Sequence, residues 1–223
     1  MLTDLASSTA AVAASDRGLP PPAPLPGFSH VTRYWDPVHD SYAAKILPGE
    51  YYVTNQSEFI VTVLGSCVSV CVRDPRRRIG GMNHFMLPTS GSGAGAELPD
   101  PTQAARYGSF AIELLLNELI KRGSSRDDLE VKITGGGAVL AGMTNIGRLN
   151  VAFAREFLEA EGLAICGEDV EGVYPRKVYY QPLTGKVRVM KLKKLANDTI
   201  FERERAYAST LARPRKAGAV ELF

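Results

Sequence analysis

A cysteine and a histidine are the residues of this chain whose types and spacing best suit covalent chemistry. Cys67 ends the run Leu-Gly-Ser-Cys, and His84 follows seventeen residues later in Gly-Gly-Met-Asn-His-Phe. A thiolate that attacks a carbonyl carbon needs a partner that takes the thiol proton and later returns it to the leaving group. Imidazole does this near neutral pH. Cys67 therefore suits the nucleophile of an acyl-transfer site, and His84 suits its acid-base partner.

A purely structural role is the competing interpretation of both residues. Free cysteines are often small buried hydrophobes, and a lone histidine on a strand is more often a satisfied structural residue. The context of Cys67 favours catalysis, because the alternating pattern of Val68–Arg73 predicts a strand directly after it. The thiol would then be held at the mouth of a rigid element. A turn at Gly65 and Ser66 could also leave backbone N–H groups free to stabilise an oxyanion.

We expect neither a metal ion nor another cofactor. Cys67 and Cys71 would lie about 13 Å apart on a strand, at ~3.3 Å per residue, which is too far for one tetrahedral ion or one disulfide. Cys166 has no ligand-spaced companion. The loop Gly135–Gly137 lacks the Lys-Ser/Thr of a P-loop and the third glycine of a dinucleotide fingerprint. Close backbone approach beside the site is the better interpretation of these glycines.

Composition indicates a single-domain cytoplasmic protein. The chain has 223 residues, 45% of them hydrophobic, and three cysteines, which argues for a reducing compartment and against a disulfide framework. Neither a signal peptide nor a membrane span is expected. The net charge of +2 makes no case for nucleic acid. Residues 191–223 carry eight Lys/Arg against four Asp/Glu, which we interpret as a solvated basic tail, with an acidic protein partner as the second interpretation.

The pattern along the chain divides it into three parts. Residues 1–40 are rich in Ala, Ser and Pro and predict a flexible leader, 41–195 form the domain, and 196–223 form the basic tail with a possible short helix. The first strands are expected to pair in succession as an antiparallel meander. A hairpin between the last two would place Cys67 opposite His84. These predicted strands are Tyr51–Thr54, Phe59–Leu64, Val68–Arg73 and Ile79–Leu87.

Helical and strand periodicity alternate in the rest of the chain. A Ser/Gly-rich loop at 89–96 suits either a lid or a plain connector. At the end of the chain, Ile200, Tyr207 and Leu211 have helical spacing and suggest a docking helix. The remaining predicted elements are helices at Thr102–Arg122 and Asn145–Ala160, a strand at Leu129–Thr134, and a hairpin of Arg176–Gln181 and Lys186–Leu192.

Several motifs, taken in order, give the chain a specific resemblance over about residues 45–195. It resembles the chemoreceptor glutamine deamidase family, CheD, of bacterial and archaeal chemotaxis. The motifs are Thr-Val-Leu-Gly-Ser-Cys-Val at 62–68, Gly-Gly-Met-Asn-His-Phe-Met-Leu-Pro at 80–88, Arg-Tyr-Gly at 106–108, Gly-Gly-Gly-Ala at 135–138, Asn-Ile-Gly-Arg-x-Asn at 145–150, and Gly-x-Tyr-Pro-Arg-Lys-Val at 172–178.

The resemblance implies a fold and a site. The fold would be a layered α/β sandwich of mainly antiparallel sheet with two principal helices, similar to bacterial toxin-type cysteine deamidases. The implied catalytic set is Cys67 as nucleophile, His84 as acid-base, and Thr62 as the residue that orients the imidazole. Gly65 and Ser66 are the oxyanion turn. Residues Asn83, Gly136 and Gly137 are candidates for contacts with a substrate or partner.

The resemblance also implies a reaction and partners. The protein would convert receptor glutamines to glutamate through a cysteine thioester, and by the same chemistry could hydrolyse receptor glutamyl methyl esters. Its partners would be the cytoplasmic helices of methyl-accepting receptors and a CheC-type phosphatase. The alternatives are a non-catalytic module that binds receptors or a phosphatase, and a generic cysteine peptidase or transglutaminase.

Overall fold

The computed structural model describes residues 21–88, 101–139, 144–193 and 198–211. Within these ranges the chain is an α/β structure of ten strands in two five-stranded sheets, accompanied by three α-helices. The first sheet has the strand order β1-β2-β4-β9-β10. Its strands are Thr32–Asp36 (β1), Ser41–Lys45 (β2), Glu58–Leu64 (β4), Arg176–Gln181 (β9) and Lys186–Lys191 (β10).

The second sheet has the order β3-β6-β5-β7-β8 and carries the helices. Both sheets are mixed but mainly antiparallel, since only β2–β4 and β7–β8 are parallel among the described pairs. The remaining elements are Tyr51–Thr54 (β3), Val68–Asp74 (β5), Ile79–Asn83 (β6), Glu130–Gly135 (β7), Ile165–Val170 (β8), Pro101–Lys121 (α1), Thr144–Ala160 (α2) and Asp198–Leu211 (α3).

The second sheet is the middle layer of the fold. Leu115 of α1 lies against Gly81 in β6, and Leu64 of β4 lies against Gly135 at the end of β7. Helices therefore cover one side of this sheet and the first sheet covers the other. Strand β5 is accordingly buried along almost its whole length rather than on alternate residues. The layered α/β sandwich expected from the sequence is confirmed.

The predicted meander is wrong in one strand. Strand β4 does not pair with β3 or β5; it joins the first sheet, parallel to β2 and antiparallel to β9. Strands β3, β6 and β5 remain neighbours in the second sheet. Alternation of apolar residues identifies a strand but not its partners, because partner choice depends on contacts with distant parts of the chain. The chain thus crosses from the first sheet to the second between β4 and β5.

The predicted register of the β5–β6 hairpin is also wrong. Asp74 pairs with Ile79, and an isolated bridge joins Val68 to Phe85, so Cys67 is not directly opposite His84. Cys67 and His84 are instead the residues just before Val68 and Phe85, the two members of this bridge. The turn between the strands includes Arg78 at φ 55°, a left-handed conformation that the sequence pattern did not reveal.

Three further strands, β1, β2 and β8, were not foreseen. Strand β1 lies inside the segment 1–40 that was predicted as a flexible leader, and it pairs along its full length with β2. The predicted leader is therefore too long, because aromatic and β-branched residues in Thr-Arg-Tyr-Trp-Asp suit an edge strand. Strand β8 was missed as well. The loop 89–96 and residues 212–223 lie outside the described residues. None of the described helices is long and apolar enough to span a membrane.

Candidate active site

The turn Gly65–Cys67 connects β4 of the first sheet with β5 of the second, and the protein holds every carbonyl of this turn. The N–H of Gly137 donates to the oxygen of Gly65 (2.8 Å), and the N–H of Gly136 donates to that of Cys67 (2.7 Å). The side-chain amide of Asn150, on α2, donates to the oxygen of Ser66 (2.9 Å). With its three carbonyls held on one side, the turn presents its three N–H groups together on the other.

Glycine is required where β7 passes under this turn. Gly135 has φ 118°, and a Cβ there would lie 2.2 Å from the carbonyl oxygen of Cys67. Gly136 has φ 67°, and its Cβ would lie 2.3 Å from a methyl group of Val151 in α2. Left-handed backbone and close approach both exclude other residues here. These glycines therefore bring β7 and α2 against the nucleophile turn, as the sequence suggested.

His84 lies just beyond β6, and both its N–H and its carbonyl form hydrogen bonds with the segment that precedes β3. Its N–H donates to the oxygen of Glu50 (2.9 Å), and its own carbonyl accepts from the N–H of Gly49 (2.7 Å). These bonds continue the β3–β6 pairing beyond the end of β6, while the neighbouring Phe85 bonds to Val68 at the start of β5. The imidazole is consequently set by rigid neighbours on the first-sheet side of the fold.

The hydroxyl of Thr62 determines the tautomer of His84. Thr62 Oγ1 lies 2.9 Å from the carbonyl oxygen of Ile46, which can only accept, and 2.8 Å from Nδ1 of His84. Because the single hydroxyl proton goes to Ile46, the hydroxyl oxygen accepts from an Nδ1–H. Nε2 is then the basic nitrogen, and it has no hydrogen-bond partner among the described residues.

Cys67, His84 and a third residue, Glu204 of α3, meet at one point. One donor atom of each, the thiol sulfur, a ring nitrogen and a carboxylate oxygen, lies within 4.8 Å of the other two, and all three side chains are buried. Burial, and next the charge of Glu204 and a hydrogen bond to it, raise the pKa of the Cys67 thiol well above its ordinary value. Burial, and next the charge of Arg203, lower the pKa of His84 to about 3. Thiol and imidazole are therefore both neutral at pH 7.

Glu204 fills the space that the three N–H groups face. Its Oε1 accepts from the N–H groups of Gly65 (2.7 Å) and Cys67 (3.2 Å). Its Oε2 accepts from the N–H of Ser66 (2.8 Å) and from the Ser66 hydroxyl (2.6 Å). Sequence analysis missed this residue. The available signal was its place in the predicted terminal helix, where it continues the spacing of Ile200 and Tyr207.

The thiol of Cys67, the imidazole of His84 and the carboxylate of Glu204 are also types of group that bind metal ions. They come together although the sequence has no motif with the spacing of metal ligands. Both oxygens of Glu204 already accept two hydrogen bonds each. The hydrogen bonds thus account for the arrangement of Glu204 without an ion.

The other candidates from the sequence support the site from within the protein. Asn83 is buried, accepts from the N–H of Val70 (2.8 Å) and donates to the oxygen of Ala111 (2.9 Å). It thereby replaces a ladder bond where β6 ends. Gly136 and Gly137 donate to the nucleophile turn itself. Asn150, which was not predicted as a site residue, also accepts from the N–H of Leu87 and so connects the turn before Cys67 with the segment after His84.

Comparison with known proteins identifies the family of this chain. A family model described as CheD chemotactic sensory transduction matches residues 86–191. A protein of Halorhodospira halophila named "Probable chemoreceptor glutamine deamidase CheD" is 50% identical over 209 residues, covering 93% of this chain and 97% of that protein. The chain belongs to the CheD family. A CheD of the same name from Methylobacillus flagellatus is 54% identical over 192 residues, which are 85% of this chain and 94% of its own.

A solved structure, the Bacillus licheniformis hypothetical protein YfiH, is similar over 55% of this chain and 49% of its own, with 14% identity and a TM-score of 0.34. So distant a similarity does not bear on the function. The segment that matches the CheD model begins two residues after His84. Cys67, His84 and Thr62 are therefore assigned to one site by their geometry in this CheD chain.

Proposed function

We propose that this protein is a protein-glutamine deamidase of chemotaxis receptors, an amidohydrolase that converts glutamine side chains to glutamate and releases ammonia. One observation carries the proposal. Cys67 and the unpartnered Nε2 of His84 lie beside three convergent N–H groups that hold a carboxylate, which is the group the reaction produces. The names of the CheD relatives support receptors as the substrate.

In the first half of the proposed reaction, Sγ of Cys67 attacks the carboxamide carbon while Nε2 of His84 takes the thiol proton. The C=O electron pair moves to oxygen, which accepts hydrogen bonds from the N–H groups of Gly65 and Cys67, the two that hold Oε1 of Glu204. When the carbonyl re-forms, the C–N bond breaks. His84 returns the proton to the leaving nitrogen, which departs as ammonia and leaves a thioester on Cys67.

In the second half, a water oxygen attacks the thioester carbon as His84 takes one of its protons. The same N–H groups stabilise the second oxyanion. Collapse breaks the C–S bond, the sulfur regains the proton from His84, and glutamate is released. A glutamyl methyl ester would follow the same path with methanol as the leaving group, so ester hydrolysis belongs to the proposal. Thr62 takes part by keeping the proton on Nδ1, which leaves Nε2 free for every transfer.

The proposed partners follow from the substrate. Receptor glutamines to be modified lie on cytoplasmic helices, so the enzyme would work in the cytoplasm and accept a helix at an open face of the site. A CheC-type phosphatase, which the family resemblance implies, would compete for that face. No cofactor enters the reaction, since thiol, imidazole and backbone N–H groups supply nucleophile, base and oxyanion stabilisation.

The test is deamidation of a receptor cytoplasmic fragment, followed by mass spectrometry of its glutamine-containing peptides. We expect wild type to convert specific glutamines, and Cys67→Ala to reduce the rate by at least about a thousandfold. His84→Ala should do the same. Cys71→Ala is the matched control, because it removes a buried thiol from β5, the strand that follows Cys67, outside the site. Equal turnover by Cys67→Ala and Cys71→Ala would refute the mechanism.

The alternative functions give different results in the same experiment. A binding module would retain receptor or phosphatase binding with no conversion by wild type. A transglutaminase would incorporate an added amine in preference to water, and a peptidase would cut the fragment. Any of these outcomes would replace deamidation as the function of the site.

A further inference from the structure

We propose that helix α3 is a built-in product mimic: it lies where a receptor helix would lie, with Glu204 in the place of the glutamate that deamidation produces. On this proposal α3 must leave the site before a receptor glutamine can enter, so the described state is the closed form of the enzyme. The inference rests on the proposed function. It adds the mode of substrate binding and a means of regulation.

The contacts of the Glu204 carboxylate are those of a bound product. Three backbone N–H groups and one hydroxyl donate to it, and its carboxyl lies against the Cys67 thiol. Among the described residues no Lys or Arg forms an ion pair with this buried carboxylate. Burial of an unpaired charge is costly unless hydrogen bonds replace its water. The turn supplies those bonds, and an oxyanion would require the same ones.

The rest of α3 has one face that packs against the site and an opposite face that is exposed to solvent. Ile200 is buried one turn before Glu204, and Tyr207 and Ala208 pack against the main core one turn after it. The hydroxyl of Tyr207 also hydrogen-bonds that of Tyr107 on α1. A receptor segment that presents a glutamine from an amphipathic helix could use the same stripe, because residues three and four apart share one helix face.

The opposite face and the position of α3 suit a helix that can leave. Glu202, Arg205 and Ser209 on that face are exposed, and α3 belongs to neither sheet. With α3 in place, however, Cys67 has no exposed surface. A nucleophile that modifies another protein must become accessible, so α3 and the receptor helix cannot occupy the site together. Release of α3 would make the thiol accessible without breaking any strand pairing of the two sheets.

The chemistry of position 204 provides a direct test. In Glu204→Gln, the amide oxygen can take the place of Oε1 and accept from Gly65 and Cys67, while the amide nitrogen meets the Ser66 N–H, donor against donor. The amide is then held less well than the carboxylate but in the position of a substrate. Cys67 would convert it by the reaction above, with one water consumed and one ammonia released, and restore the wild-type residue.

The first experiment is peptide mass spectrometry of purified Glu204→Gln. We expect residue 204 to be converted to glutamate in this variant and to remain an amide in the double variant with Cys67→Ala. Glu202→Gln, on the exposed face of the same helix, should remain unconverted, as should the native Gln56. Persistence of the amide at position 204 in a Glu204→Gln enzyme that deamidates receptor fragments would overturn the inference and leave the proposed function intact.

The second experiment measures accessibility and rate. We expect Glu204→Ala to deamidate a receptor fragment about tenfold faster or more than wild type, with Glu202→Ala unchanged. Iodoacetamide should alkylate the Cys67 peptide faster in Glu204→Ala, a readout that requires no turnover, and circular dichroism should confirm folding. Equal rates and equal alkylation in Glu204→Ala and wild type would overturn the inference. No conversion of receptor glutamines by wild type or any variant, and none at position 204 in Glu204→Gln, would overturn the proposed function instead.

Discussion

At the scale of single residues, the site depends on a hydroxyl that donates in one direction and accepts in the other. Thr62 gives its proton to the carbonyl of Ile46 and accepts from Nδ1 of His84. A side chain without the hydroxyl would leave the imidazole free to adopt the other tautomer or another ring orientation. The basic Nε2 would then face Cys67 for only part of the time.

Thr62→Val tests this role with almost no change in shape. We expect kcat to fall roughly fivefold, because a neutral hydrogen bond contributes about 1 kcal/mol and about 1.36 kcal/mol corresponds to a factor of ten. Thr62→Ser keeps the hydroxyl and should restore most of the activity, measured by receptor deamidation over a range of pH. Serine and valine variants that are equally impaired would show that Thr62 acts through packing.

At the scale of elements, the nucleophile turn is held by the glycines that follow β7 and by Asn150 of α2. Gly136 at the end of β7 lies against Val151 and Gly147 of α2 and donates to Cys67. Any Cβ at this position would separate β7 from α2. The position of the thiol is thus coupled to the packing of two elements that contribute no reactive group.

Gly136→Ala should destabilise the protein by about 3 kcal/mol, since the left-handed φ and the overpacking both oppose a methyl group. Gly162→Ala is the matched control, because Gly162 has φ 70° but nothing within 4 Å of an added Cβ, so it should cost only about 1 kcal/mol. Urea unfolding measures both values. Similar losses in the two variants would mean that β7 and α2 move apart without cost.

At the scale of the whole molecule, burial of His84 makes folding sensitive to pH. Burial, followed by the charge of Arg203, lowers the pKa of the folded imidazole to about 3, whereas an unfolded histidine has a pKa near 6.5. Between these values the unfolded chain binds a proton that the folded protein does not. The contribution of His84 to stability is therefore complete above about pH 6.5 and is lost as pH falls toward about 3.

We expect His84 to account for about 2 kcal/mol of the stability lost between pH 7 and pH 5. His84→Gln should lack this part of the loss, and His30→Gln should keep it because His30 is exposed in the fold. Urea unfolding at the two pH values measures the difference. An unchanged pH dependence in His84→Gln would mean that the imidazole is protonated without unfolding.

The sequence by itself determined the local features of this protein. Apolar periodicity is a property of neighbouring residues, so it located β3, β5, β9 and both principal helices close to their observed bounds. The pairing of a nucleophile type with a base type pointed to Cys67 and His84, and the ordered motifs gave the CheD family. None of these inferences needed to know which distant segments touch.

Only the tertiary structure decided the features that depend on such contacts. In the structure, β4 belongs to the first sheet and the β5–β6 register differs from the predicted one. Glu204 accepts a hydrogen bond from the N–H of Cys67, 137 residues away along the chain. A carboxylate in a predicted docking helix has no local sign that it will itself be buried. Its burial depends on donors from a remote turn, because only their convergence offsets the cost of removing the charge from water.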